Sequence, residues 1–230
     1  MMNISKLEFD AEARPTIAKR IAESLRDAIV SLDLKPGDAI SESDIAARFG
    51  VSRQPVREAF IQLAEQGLLR IRPQRSTEVV RISIRDVLNA RFVREALEVA
   101  VVRKAAAECA NMPADTFEDL FREQMAASDA NDYRAFHARD DAFHRLIAKL
   151  SGNEFVWKLI DAQKVQMDRV RYLSLKLGMP ATIREHRDIG EAILSGNPDL
   201  AEAQMRKHLR KIDTQIHQIR DLNKEYFQEE

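Results

Sequence analysis

The chain has 230 residues, with 36 lysines and arginines against 37 aspartates and glutamates, for a formal net charge of −1. Apolar residues make up 45% and charged residues 32%, a globular composition with enough apolar mass for one or two cores. The single cysteine, Cys109, excludes an intramolecular disulfide framework and fits a reducing cytoplasm; no apolar run reaches membrane-spanning length, Met1–Phe9 lacks the layout of a secretory signal, and the near-neutral total argues against a nucleic-acid binder.

From Pro15 to about Ile82 the elements are short. Thr16 precedes a helical stretch carrying Ile17, Ile21, Leu25, Ala28 and Ile29 at three- and four-residue steps, which stops near Lys35-Pro36-Gly37. Ser41 can cap a second helix running to Phe49, with Asp44 where a capping box puts its acid, and Gly50 ends it because glycine tolerates positive φ. Ser52 can cap a third helix whose Pro55 lies in the first turn, where a missing N–H costs nothing. Val56, Ala59, Phe60 and Leu63 form its apolar stripe, and Gly67 closes it. Leu68–Ile71 and Thr77–Arg81 read as two strands around a turn at Pro73–Ser76.

From Ser83 onward the pattern is helical, in six helices: Ser83–Ala110, Pro113–Ala130, Asp132–Leu150, Glu154–Leu177, Ala181–Leu194 and Pro198–Tyr226. Each break contains Gly, Pro, Asn or Asp, residues that start or stop helices for steric reasons. The expected architecture is mainly α, with a winged helix-turn-helix over 12–80 and an all-helical bundle over 83–226.

Two short helices joined at Gly50 and followed by a hairpin describe a DNA-reading head, in which the second helix presents its first residues to the major groove. Those residues are Ser52, Arg53, Gln54 and Arg57. Arg53 and Arg57 are one turn apart, opposite the apolar stripe; arginine suits guanine and glutamine suits adenine. Ser52 and the open N–H groups beside it suit a phosphate. Between Arg48 and Arg75 there are six arginines and two glutamates, a net of +4 that leaves −5 for the rest of the chain. The neutral total therefore hides a basic segment, and Arg75 is placed where a wing would meet DNA. One such helix reads half a site, so a homodimer on a palindromic operator is expected.

A second constellation has metal-ligand chemistry. Asp140 and His144 share one helix face, and His186 and His208 each lie eleven residues from position 197 in the turn Ser195–Pro198, about three helical turns on either side. An antiparallel pair of helices would set the two histidines level. One carboxylate and three imidazoles suit Zn²⁺, with Ni²⁺ or Mn²⁺ as alternatives, and positions left open on the ion can take a ligand oxygen. Asp141 is the neighbouring alternative to Asp140, and His137 and His217 are assigned ordinary polar roles. The same donor set would also describe a metal-dependent hydrolase or oxygenase, although no glutamate stands beside the ligands as a dedicated base.

The run Gly50-Val-Ser-Arg-Gln-Pro-Val-Arg-Glu-Ala59, within Ile40–Leu69, resembles the N-terminal domain of GntR-type transcriptional regulators. That resemblance implies operator contacts for Arg53 and Arg57. Ser76 stands where the wing commonly carries glycine, and Ser43 near where some relatives carry arginine. Asp140-Asp-Ala-Phe-His144, Ser151-Gly-Asn153, Glu185-His186 and Met205-Arg-Lys-His-Leu209 resemble the FCD effector domain of the FadR subfamily, and six helices resemble its VanR-like branch. This likeness implies an Asp/His3 metal site and a small organic or sugar acid as effector, with Arg94 at the pocket and Arg169 and Arg171 as further effector-binding candidates. It implies a cytoplasmic regulator, not an enzyme.

Overall fold

The computed structural model describes residues 15–72, 76–108 and 112–229, with 176 and 177 as backbone only. Its first three helices are α1 (Ile17–Val30), α2 (Glu42–Phe49) and α3 (Arg53–Glu65). Thr16 caps α1 by accepting from the Lys19 N–H, and Ser41 caps α2 by accepting from the Asp44 N–H at 3.1 Å. Each such cap satisfies one donor that a helix start leaves open, a contribution of about 1 kcal/mol. Gly50 takes φ 65° and ψ 36°, which reverses the chain between α2 and α3. Ile21, Leu25 and Ile29 of α1 meet Ile45 and Ala46 of α2 and Val56, Phe60 and Leu63 of α3 in one buried cluster.

The expected hairpin is a three-stranded antiparallel sheet, in the order β1 (Ala39–Ile40), β3 (Thr77–Val79), β2 (Leu69–Arg70). The extra strand has two residues, too few to show alternation, and it pairs Ala39 with Glu78 and Ile40 with Thr77. Arg75 and the rest of the turn 73–75 lie outside the described residues.

The bundle comprises α4 (Ile84–Glu108), α5 (Glu118–Asp129), α6 (Tyr133–Leu150), α7 (Glu154–Gln163), α8 (Val165–Leu194) and α9 (Pro198–Leu222). Phe117, Phe121, Phe143, Ile147, Ile189, Ile193, Met205 and Leu209 anchor its main core. Three boundaries differ from the sequence reading. The helix expected over Glu154–Leu177 divides at Lys164, which carries no breaker signal and keeps αR dihedrals. The break expected at Gly178-Met179-Pro180 is a kink inside α8, where only Gly178 leaves helical geometry and Pro180 falls in the first turn after it. The last helix stops at Leu222, where the Asn223 side chain donates to the Ile219 carbonyl, and a 3-10 turn covers Lys224–Tyr226.

Head and bundle are joined closely. Val165, at the start of α8, packs into the apolar core of the head. Gln166 Nε2 donates to the carbonyls of Gln66 (3.2 Å) and Gly67 (2.9 Å). The connecting segment is clamped by the C-terminal tail: the Ile82 N–H donates to Tyr226 at 2.8 Å and the Gln228 N–H donates to Ile82 at 2.9 Å. Phe227 is buried beside Ile82, Val87, Ile216 and Ile219.

Candidate functional site

The exposed face of α3 carries the two arginines expected to read bases. Their side chains are 65% (Arg53) and 58% (Arg57) exposed, while the opposite face of α3 is buried. Both are held by Glu42, at the start of α2. Arg53 Nη2 donates to Oε2 at 3.0 Å, and Arg57 Nε donates to Oε1 at 3.1 Å. Hydrogen bonds from Arg57, then Arg53, outweigh partial desolvation and lower the Glu42 carboxyl below its ordinary range. Ser52 occupies the N-cap position of α3, but its hydroxyl makes no capping bond, contrary to the expectation from sequence. Gln54 donates to Glu58 at 3.0 Å, and Ser43 lies 3.0 Å from the Ser41 hydroxyl. On the sheet, Arg72 pairs with Glu78 at 2.9 Å.

In the bundle, Asp140 and His144 from α6, His186 from α8 and His208 from α9 come together as a quartet whose ligand atoms lie within 4.8 Å of one another. The outward nitrogen of each ring faces a polar side chain. His186 Nδ1 lies 3.0 Å from Gln124 Oε1, and the Gln124 amide nitrogen donates to the Arg139 carbonyl, which fixes the amide orientation. His186 therefore carries its proton on Nδ1. His208 Nδ1 donates to Glu185 Oε2 at 3.0 Å, and Lys211 holds the other oxygen at 2.8 Å. His144 Nδ1 lies against Glu98. All three rings thus have Nε2 as the lone-pair nitrogen, and the Nε2 atoms of His144 and His186 are buried with no hydrogen bond. Orphaned imidazole nitrogens beside a carboxylate are donors that fit a divalent cation.

Electrostatics agree with neutral imidazoles. Burial lowers His144 and His186, and lowers His208 to about 4. Burial opposes ionisation of Glu185, but hydrogen bonds from His208 and Lys211 overcome it and hold the carboxyl at about 2. Glu98 is also lowered: Arg94 and His144 together outweigh its burial. A charged His144 would help Glu98, whereas desolvation of the ring favours the neutral form. Arg94 and the His144 Nδ1 side both face Glu98, and burial of the ring favours its neutral form.

The quartet borders a cavity of about 160 Å³, lined by Arg94, His137, Asp140, Arg171, Ser174, Glu185, His208, Lys211 and Gln215 among others. Arg94 is buried, its Nε pairs with Glu98, and its Nη2 has no hydrogen-bond partner. Arg171 also lines the cavity and pairs with Asp140. Arg169 does not line it. From the opposite side of α8, Arg169 donates to the Val80 carbonyl and to Gln166, so it belongs to the junction with the head, which corrects its assignment to the effector pocket. His137 is in the cavity wall, 3.6 Å from Asp168, and Asp141 pairs with Lys164 and Arg171 rather than joining the quartet.

Residues 17–79 match the family model described as bacterial regulatory proteins, gntR family, and residues 90–211 match the FCD domain. The chain belongs to the GntR family of transcriptional regulators. The chain is 38% identical to the HTH-type transcriptional repressor RspR of Escherichia coli K12, over 97% of this chain and all of that one. It is 29% identical to a protein of Paenarthrobacter nicotinovorans described as a probable D-xylose utilization operon transcriptional repressor, over 85% and 87% of the two chains. The fold is shared with E. coli McbR/YncC, with a TM-score of 0.76 at 18% identity over 89% of this chain and 99% of that one. GntR-family proteins are regulators and not enzymes, which removes the hydrolase or oxygenase alternative. No helix among the described residues is long and apolar enough to cross a membrane.

Three residues of this regulator's sites escape a reading of the sequence. Glu98 had a signal: a carboxylate one turn from Arg94 inside the apolar run around Leu97, Val99, Val101 and Val102. Gln124 had none, because its partner His186 is 62 positions away. Glu42 is an acid in the first turn of α2, a local position that gives no hint that it reaches α3.

Proposed function

We propose that this GntR regulator is a repressor that binds a palindromic operator as a homodimer, with its affinity for DNA governed by a small organic or sugar acid at the FCD cavity. The observation that carries this reading is the buried, unpartnered Nη2 of Arg94 in a cavity that also holds an Asp/His3 quartet. Asp140, His144, His186 and His208 would hold a divalent ion, Zn²⁺, Ni²⁺ or Mn²⁺, whose open positions accept a carboxylate or hydroxyl oxygen. Arg94 supplies a second, charge-assisted contact to the acid, and Arg171 lines the same cavity while paired with Asp140. The Paenarthrobacter relative, described by its link to D-xylose utilization, supports an acid derived from a sugar.

Arg53 and Arg57 contact bases, Gln54 assists and Ser52 meets a phosphate. Exposed apolar side chains, Phe92 (67%) and Val93 on α4 and Phe155 (65%) on α7, support self-association. Such a protein works where the chromosome is, in the cytoplasm.

The test is titration of labelled DNA flanking the protein's own gene, followed by a screen of organic and sugar acids with and without chelator, read as thermal shift and as release of DNA. Arg94→Gln and His186→Ala are expected to raise the acid concentration needed for release. Unchanged release by both variants rejects the pocket assignment.

A further inference from the structure

Outside the quartet, a dense group of buried charge lies between the cavity and the reading head. Asp168 and Lys164 are almost fully buried, Arg171 is buried and Asp141 is partly buried. Arg171 is shared between the cavity and this group. It pairs with Asp140 on one side, and its Nη1 donates to Asp168 at 2.7 Å and to Asp141 at 3.1 Å on the other. Lys164 takes the remaining oxygens of both acids, 2.7 Å from each, and lies 3.5 Å from Asp161. Asp161, at the surface end of α7, is held in turn by Arg26 of α1, at 3.3 Å to the carboxylate and 3.1 Å to the backbone carbonyl.

We propose that these ion pairs, Asp140–Arg171–Asp168–Lys164–Asp161–Arg26, form a relay that carries occupancy of the cavity to helix α1 of the reading head. It rests on the metal reading above. A cation drawn to Asp140 competes with the Arg171 guanidinium for the same carboxylate. Buried charges do not stay unpaired, so Arg171 turns more fully onto Asp168 and Asp141. Those acids then hold Lys164 less tightly, and its ammonium moves towards Asp161, where it competes with Arg26. The tie between α7 and α1 weakens, and the head gains freedom.

The other ties across the junction do not pass through the cavity. Gln166 and Arg169 reach Gln66, Gly67 and Val80 from α8, and Arg134 holds Ser31 and Asp33. The two ties from α8 provide the alternative route, in which α8 moves as a rigid rod, and the test must separate the two.

Hydrogen exchange followed by mass spectrometry on the full chain, with Zn²⁺ as the probe and a chelator to reverse it, makes the separation. Zinc is expected to slow exchange in α6 and α9 and to speed it in α1 by about twofold or more. In Arg26→Gln, which breaks the relay at its partly exposed end, α1 starts faster and zinc adds nothing, while α6 and α9 respond as in the wild type. An α1 response of the same size in Arg26→Gln overturns the relay in favour of the rigid rod. An unresponsive wild-type α1 beside protected α6 and α9 also overturns it. No zinc effect anywhere takes down the metal site itself, and the relay with it.

Discussion

His186 Nδ1 lies 3.0 Å from the side-chain oxygen of Gln124, and that amide is oriented by its donation to the Arg139 carbonyl. The pair joins α8 to α5 and leaves His186 Nε2 as the lone-pair nitrogen facing the proposed metal site. Gln124→Leu removes the acceptor and frees the tautomer. The expected loss in zinc affinity is about tenfold to a hundredfold, measured by competition with a chromophoric chelator. A variant that binds zinc as well as the wild type would show that the tautomer is set elsewhere.

Glu42 makes a second prediction, at the other end of the molecule. It holds Arg53 and Arg57 in place before DNA arrives. Glu42→Gln removes the charge and leaves two flexible guanidinium groups. Non-specific DNA affinity should rise, because the surface becomes more basic, while discrimination between operator and random DNA falls by about tenfold, the worth of roughly one good base contact. Fluorescence anisotropy on both DNAs at one salt concentration reads the ratio.

Acid should destabilise the metal-free protein early. His208 is lowered to about 4 in the folded state against an ordinary 6.5, and burial lowers His144 and His186 as well. The unfolded chain therefore binds more protons than the folded one between these values. Stability is full above pH 6.5 and declines as pH falls towards 4, where His208 itself protonates. Bound zinc, which needs the neutral rings, should raise stability across this range without flattening the decline, because the decline comes from protonation of the unfolded chain. Melting temperature against pH, with and without zinc, tests both parts, and a flat metal-free profile from pH 7 to 5 would contradict them.

Gly50 adopts left-handed backbone at φ 65°, and a Cβ there would meet nothing within 4 Å. The cost of Gly50→Ala is therefore conformational, about 1–2 kcal/mol, without a packing penalty. Thermal melting should show that loss, and a cost well above it would mean that the turn between α2 and α3 has changed shape.

How far the sequence reached depends on whether a feature is local. Ser41 as a cap, Gly50 as a terminator and the α3 stripe of Val56, Ala59, Phe60 and Leu63 follow from nearest neighbours along the chain. The proximity of His186 and His208 followed from symmetry about one turn, because a helical hairpin places equidistant residues level. What escaped is tertiary. β1 is two residues long and exists because β3 runs beside it. Lys164 divides α7 from α8 with no breaker in its sequence, and its ammonium lies buried among Asp141, Asp161 and Asp168. Arg169 and Arg171 are two positions apart on one helix and face different partners, a distinction that required knowing what lay on each side of α8.

The clamp on the connecting segment limits how the reading heads can be used. The Val80 N–H is bonded to Leu68 in the head, and the Ile82 N–H to Tyr226 in the C-terminal tail of the bundle. One residue, Arg81, separates these anchor points, and its guanidinium Nε is itself tied to the Glu225 carbonyl at 3.1 Å. A head on so short a leash has no slack with which to follow half-sites that drift apart. In the proposed dimer, operator spacing is then dictated by the geometry of the bundles, and a site lengthened by half a helical turn of DNA is a different site.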